Sequence, residues 1–233
     1  MGLTDTPIQN IPLYPVVNAA QYLQIPSGTL NSWLHGRTYN TKKKGKEFFQ
    51  PLIQRPNPAL AQLSFTNLIE AHVLRVIRQK HNIRLDKIRT ALDYLEQVLK
   101  VPHPLARSEF KTDGVDLFIE EIDHLVTVSR SGQLAMKEVL RHLLTRIEWD
   151  EQGLATRLSP IIKFADREIG NLLYIDPRIS FGKPTIAGTG IPTNVIANLY
   201  NAGDEVEAIA DDYSCTTEQI YAAILFETPY SAA

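Results

Sequence analysis

The sequence predicts a mainly α protein of the α+β class. It reads as a winged helix-turn-helix unit over residues 1–100, a small mixed α/β segment over 101–165, and a helix-turn-helix-like unit preceded by short strands over 166–233. Three observations support this reading. Apolar residues recur at helical spacing through most of the chain. Two pairs of these helices are joined by short turns, Gln24-Ile25-Pro26 and Ser214-Cys215-Thr216. Charge is segregated: residues 1–111 carry 15 Lys and Arg against 7 Asp and Glu, residues 112–165 carry 6 against 9, and residues 166–233 carry 3 against 10. The whole-chain net charge of -2 conceals that polarity.

In chain order, Tyr14 to Arg37 reads as two short helices about a tight turn. Ala19, Ala20 and Leu23 give the first an apolar edge, and Leu30, Trp33 and Leu34 give the second an i, i+3, i+4 stripe that places Trp33 in the core. Ser27 is the expected N-cap of the second helix. Arg37-Thr38-Tyr39, the run Lys42-Lys43-Lys44-Gly45-Lys46 and Glu47-Phe48-Phe49 predict a β-hairpin with a basic tip. Ile69, Val73, Val76 and Ile77 mark a helix over 66–81, and Ile88, Ala91, Leu92, Leu95 and Leu99 a second over 85–99, packed as a pair. Pro102 and Pro104 then signal a connection.

The middle and final segments follow the same logic. Runs at 115–119 and 125–129 alternate and predict a small hairpin, and Met136, Leu140, Leu143 and Ile147 predict a helix over 134–147. Apolar runs at 161–165 and 172–175 read as strands. Gly182, Pro184, Gly188, Gly190 and Pro192 predict a turn that lays Ile179, Phe181 and Ile186 onto the terminal helices. Helices are expected over 193–201, stopped at Gly203, then over 205–213 and over 217–226, the last capped by Thr216.

Length and composition bound the function. With 233 residues, 44% hydrophobic and 21% charged, the chain can bury a real core. No apolar run approaches the roughly 20 residues that span a bilayer, and the N-terminus lacks the pattern of a secretory signal. A protein of the cytoplasm without membrane contact is the expectation. The single cysteine, Cys215, excludes an internal disulfide. The histidines His35, His72, His81, His103, His124 and His142 are dispersed, so neither a metal site nor a catalytic constellation is predicted.

Chemistry concentrates at the two ends. A helix that enters the major groove needs small polar side chains near its N-terminus and cations beside it for phosphates. Ser27, Thr29, Asn31, Ser32, His35 and Arg37 meet that need, and Lys42, Lys43, Lys44 and Lys46 add sequence-independent phosphate contacts. The rear helix pair carries Glu205, Glu207, Asp211, Asp212 and Glu218, a surface that repels a phosphate backbone and suits a protein partner. Gly188-Thr189-Gly190 is only part of a dinucleotide fingerprint, and Pro184 breaks the phosphate-loop pattern, so no cofactor is expected. Two rivals remain: a stand-alone regulator sensing a small molecule through residues 100–165, and a nucleotide-using enzyme built around Gly182 to Gly190.

Two resemblances rest on these residues. From Tyr14 to about Leu99, AAQYLQIPSGTLNSW, the basic wing and the helix pair NLIEAHVLRVIRQKHNIRLDKIRTALDYL resemble the DNA-binding part of MerR-type regulators. The pattern departs after Leu99, where Pro102 and Pro104 arrive in place of a long dimerisation coiled coil. From Ile175 to Phe226, IDPRISFGKPTIAGTGIPTNVI and EVEAIADDYSCTTEQIYAAI resemble the bacterial antitoxin domain first catalogued as domain of unknown function 433, and with it the VapB-type antitoxins. That resemblance implies an antitoxin that neutralises a toxin similar to PIN-domain ribonucleases by protein contact and represses their shared promoter. With operator DNA as a second partner, a homodimer is expected. The alternative is the MerR-like stand-alone regulator.

Overall fold

The computed structural model describes residues 6–41, 45–81, 83–126, 128–164 and 167–228. The chain opens with β1 (Tyr14–Pro15), α1 (Val16–Tyr22) and α2 (Ser27–His35), then the hairpin β2 (Arg37–Thr41) and β3 (Gly45–Phe49), and β4 (Gln62–Leu63), which pairs antiparallel with β1. The turn between α1 and α2 is closed by two backbone bonds, Gln24 N–H to the Gln21 carbonyl and Ile25 N–H to the Ala20 carbonyl, with Gln24 left-handed at φ 50°. This is a Schellman closure made without glycine. The side-chain oxygen of Gln24 accepts from Arg75, which helps hold it there. Leu30, Trp33 and Leu34 face inward as their spacing predicts.

Ser27 does not cap α2. It is the first helical residue, the cap position belongs to Pro26, and no side chain bonds the free N–H groups. Proline supplies the extended entry angle instead, with ψ 130°. At the far end Gly36, φ 70°, turns the chain into the wing; a Cβ there would lie 2.2 Å from the Phe49 carbonyl oxygen, so only glycine fits. The chain leaving the wing is tied back to α2, because Leu52 and Ile53 N–H both donate to the Trp33 carbonyl.

Behind this unit lies α3 (Phe65–His81), followed by α4 (Leu85–Leu99). From Phe65 to Val76 every residue of α3 is buried, including Asn67, Glu70, His72 and Arg75. A helix buried on all sides is a central one. Its polar residues need partners, and several have them: the Asn67 amide donates to the Gln54 carbonyl and to Glu70, whose other oxygen lies 3.0 Å from His103 Nδ1.

The predicted hairpin at 115–129 is a correction. The first run lies in α5 (Val115–Leu125), and Val126, Val128 and Ser129 lead into α6 (Arg130–Leu144) without forming a strand. Val115, Phe118, Ile119 and Ile122 are the buried stripe of α5, a 3.6-residue period that overrides the strand preference of its β-branched residues. α6 begins four residues before its predicted start, capped by Ser129, which accepts from Gly132 N–H. It ends before Ile147, which opens β5 (Ile147–Trp149), paired with β6 (Ala155–Leu158). α5 packs on α4 and α6 on α3, so the chain after Leu99 folds back over the same core.

The last segment pairs β7 (Ile162–Phe164) with β8 (Arg167–Ile169), and β9 (Leu173–Tyr174) with β10 (Thr185–Ile186). It then forms α7 (Thr193–Ala202), α8 (Val206–Tyr213) and α9 (Thr217–Glu227). Ile186, Ile196, Val206, Ile209, Ile220, Ala223 and Phe226 build a second core. Burying each large apolar side chain there contributes roughly 1.5–3 kcal/mol. Ile186 joins this core as expected, but Phe181 does not: its ring is 88% exposed, because Phe181 has φ 56° in a turn anchored elsewhere.

The second unit packs on the first through α1 and the chain before it. The Tyr22 and Phe226 rings lie 6.1 Å apart, and the Gln21 amide donates to Glu227. Gly182 sits against Leu13 and Tyr14 so closely that a Cβ would lie 2.6 Å from the Tyr14 hydroxyl.

Candidate nucleic-acid interface and acidic face

The first face is built by α2. Because Leu30, Trp33 and Leu34 take its inner side, Ser27, Gly28, Thr29, Asn31 and His35 are left exposed, with Arg37 exposed beyond the turn. Ser32 is half-buried and its hydroxyl donates to the Thr29 carbonyl at 2.7 Å, which leaves its oxygen only as an acceptor. Among the wing lysines Lys46 is exposed, while Lys42, Lys43 and Lys44 lie outside the described residues. The face therefore offers hydroxyls, an amide and an imidazole, groups able to hydrogen-bond a polar partner.

Arg55 was not legible in the sequence. It lies in the proline-rich stretch after the wing, where no periodicity marks it, and it reaches back 20 positions to His35. Its guanidinium donates to the Leu60 carbonyl and, at 3.3 Å, to His35 Nδ1. An arginine has no acceptor, so Nδ1 is the lone-pair nitrogen and Nε2 carries the proton. Desolvation and the Arg55 charge both lower the His35 pKa. His35 thus presents a neutral N–H donor, and the positive charge at that end of α2 sits on Arg55 and Arg37.

The second face is built by α8 and the ends of its neighbours. Val206, Ile209 and Ala210 point inward, which leaves Glu205, Glu207, Asp211 and Asp212 exposed, together with Asp204 and Glu218. Among the described residues none of these six carboxylates forms an ion pair. Tyr200 on α7 and Tyr221 on α9 are exposed as well, two aromatics that the charge pattern alone did not single out.

The glycine stretch forms a third feature. Residues 188–190 help line a cavity of about 310 Å³ with Arg157, Tyr174, Ile179 and Thr185. Arg157 stacks 5.1 Å from the centroid of the Tyr174 ring. Beneath it, buried Asp176 accepts from Arg178 Nε at 2.9 Å and Nη2 at 2.7 Å, and Arg157 approaches at 3.5 Å. Burial alone would push this carboxyl up; the Arg178 hydrogen bonds and the charges of Arg178 and Arg157 outweigh it and hold Asp176 below the usual carboxylate range.

These faces belong to a protein with an N-terminal helix-turn-helix domain and a separate C-terminal family domain. Residues 12–92 match the family described as "Putative DNA-binding HTH domain", and residues 174–226 match "Protein of unknown function (DUF433)". The protein belongs to the family of the Mycobacterium tuberculosis protein named "Putative antitoxin VapB45", to which it is 30% identical over 92% of its own length and 93% of that chain. It is also 26% identical to "Uncharacterized protein Rv2308" of the same organism, over 95% of this chain and 92% of that one. The crystal structure of Rv2018 from M. tuberculosis superposes with a TM-score of 0.69 at 28% identity, covering 92% of this chain and 98% of that one. No helix among the described residues is long and apolar enough to cross a membrane.

Proposed function

We propose that this protein is a non-catalytic antitoxin and autoregulator of the cytoplasm. In this reading a homodimer binds operator DNA through Ser27, Thr29, Asn31, Ser32, His35, Arg37 and the wing lysines. It neutralises a PIN-like ribonuclease through Glu205, Glu207, Asp211 and Asp212. One observation carries it: a helix-turn-helix with an uncharged polar outer face and flanking cations shares a chain with an exposed set of carboxylates that form no ion pair among the described residues. A ribonuclease must present cations to RNA phosphates, and such a surface is complementary to the acidic face. The name of the VapB45 relative and the match to a DNA-binding family support the two halves of the reading.

Removing residues 166–233 outright is a poor test, because Tyr14 and Tyr22 would lose their cover. The informative variant is E205K/E207K/D211K/D212K in the full chain. We expect it to lose co-purification with the product of the adjacent gene by about tenfold or more, since like-charge contact costs several kcal/mol, while upstream DNA is still retained. Undiminished toxin capture would remove the acidic face from the account.

A further inference from the structure

Phe181 has no role in either face, yet the protein holds it out with some effort. Its ring is 88% exposed, and it is the middle of three consecutive residues at positive φ: Ser180 at 48°, Phe181 at 56° and Gly182 at 73°. Serine and phenylalanine adopt that region only under constraint. Here the constraint is visible. The Ser180 hydroxyl donates to the Gly190 carbonyl at 2.7 Å, Gly182 N–H to the Ile179 carbonyl, Lys183 N–H to the Ser180 carbonyl, and Gly182 is wedged against Leu13 and Tyr14. A strained, tightly tethered turn that ends in a bare aromatic ring has the form of an interface anchor.

The same turn borders the cavity already described. Ile179, two residues before the ring, lines it, as does Gly190, whose carbonyl holds Ser180. At about 310 Å³, with Ile179, Ile186 and Tyr174 in its wall, it admits a phenyl ring. A knob and a hole on one short stretch of chain are what a two-fold interface requires, because the same patch must complement itself.

Charge selects the partner. The acidic face and the basic wing would each repel a second copy of themselves. The Phe181 patch is balanced: Arg157 and Arg178 meet Asp176 and Glu148 in ion pairs, Asp150 also acts on Arg178, and with Lys183 exposed two residues from the ring three cations stand against three carboxylates. Neither a polyanion nor a cationic toxin is drawn to such a surface, and a like surface is not repelled.

We propose that the Phe181 turn and its neighbouring cavity form the isologous interface between two copies of this chain, each Phe181 ring seated in the other copy's cavity. This deepens the homodimer of the reading above by naming its contact, and it needs neither DNA nor toxin to be tested. Sedimentation velocity of the protein alone, over a wide concentration range, should show a monomer–dimer equilibrium that F181A weakens by about tenfold or more, the scale of a lost aromatic anchor. The circular dichroism spectrum of F181A should be unchanged, and its melting temperature should match the wild type's at concentrations where both are monomeric, since so exposed a ring makes few core contacts. In a C215S background, F181C protein mixed with T189C protein should be joined by a short bifunctional maleimide in higher yield than either alone.

A wild type that stays monomeric at every concentration overturns both the contact and the dimer. A dimer that F181A leaves intact overturns the contact alone. An F181A protein of unchanged mass that loses the adjacent gene's product, or its upstream DNA, would make Phe181 an anchor for that other partner and overturn the proposal equally.

Discussion

The molecule contains the same turn twice. In the first helix-turn-helix, Ile25 N–H donates to the Ala20 carbonyl at 2.9 Å about a left-handed Gln24; in the second, Cys215 N–H donates to the Ala210 carbonyl at 2.9 Å about a left-handed Ser214. Gln24 N–H to Gln21 and Ser214 N–H to Asp211 complete the pair. Backbone geometry is therefore nearly shared, and surface chemistry is not: α2 shows Ser27, Thr29, Asn31 and His35, whereas α8 and α9 show Glu205, Glu207, Asp211, Asp212 and Glu218. A helix-turn-helix is a way to set two helices at an angle, and what it binds is decided by the side chains left outside.

The largest effect that could break this contrast concerns the wing. Each phosphate neutralised contributes about 0.9 to the slope of log affinity against log salt, so K42A/K43A/K44A/K46A should flatten that slope by up to about 3.6 and weaken binding across all DNA sequences alike. A filter-binding titration at several salt concentrations measures it. An unchanged slope would mean that the front unit does not meet DNA through its wing, and the electrostatic difference between the two units would lose its functional sense.

The buried ionisable groups sharpen the comparison in a second way. The core beneath the first unit holds His72, whose ring nitrogens are both buried without hydrogen-bond partners among the described residues. Burial, then the charges of Arg75 and Arg146, push its pKa down to about 3. The folded pKa lies below the unfolded one, so the unfolded chain binds the extra proton between them, and stability is lost as pH falls below about 6.5. Roughly 2 kcal/mol should disappear between pH 7 and 5 from this group. His103 acts in the opposite sense: its hydrogen bond to Glu70 raises its pKa, so its stabilisation is complete in acid and fades as pH rises through the folded value. H72L should therefore flatten the acid limb of a urea-midpoint series without loss at pH 7. An H72L protein with the wild-type acid slope would rule out His72 as its source.

The sequence made the helix pairs legible because their inner faces are apolar at fixed spacing and their outer faces polar. It hid α3's true position, because Asn67, Glu70, His72 and Arg75 look like a solvent face and are in fact enclosed by α6, the first unit and the His103 connection. It hid Arg55 and the Phe181 turn for a different reason. The Arg55–His35 contact spans 20 positions, and the exposure of Phe181 follows from Gly182 packing on Tyr14 some 170 positions away, neither of which leaves a periodic trace. At α5 the β-branched residues and the helical spacing give conflicting signals, and the spacing decides.

The smallest effect bears on the one structural feature the two turns do not share. Entry into α2 is set by Pro26 without any side-chain cap, whereas entry into α9 is a full capping box: Gln219 N–H donates to the Thr216 hydroxyl at 3.2 Å and Thr216 N–H to the Gln219 side-chain oxygen at 2.9 Å. The Gln219 amide also donates to the Ala187 carbonyl, which ties the cap to the glycine-rich turn. T216A should cost about 1 kcal/mol of stability, while S27A should stay within about 0.5 kcal/mol because the hydroxyl it removes bonds no helix N–H. Measured by urea unfolding at neutral pH, equal losses would mean that Ser27 caps α2 after all. S27A should still weaken DNA binding, since that hydroxyl is exposed on the outer face. A residue that matters for binding and not for folding is what the comparison assigns to position 27, and the reverse to position 216.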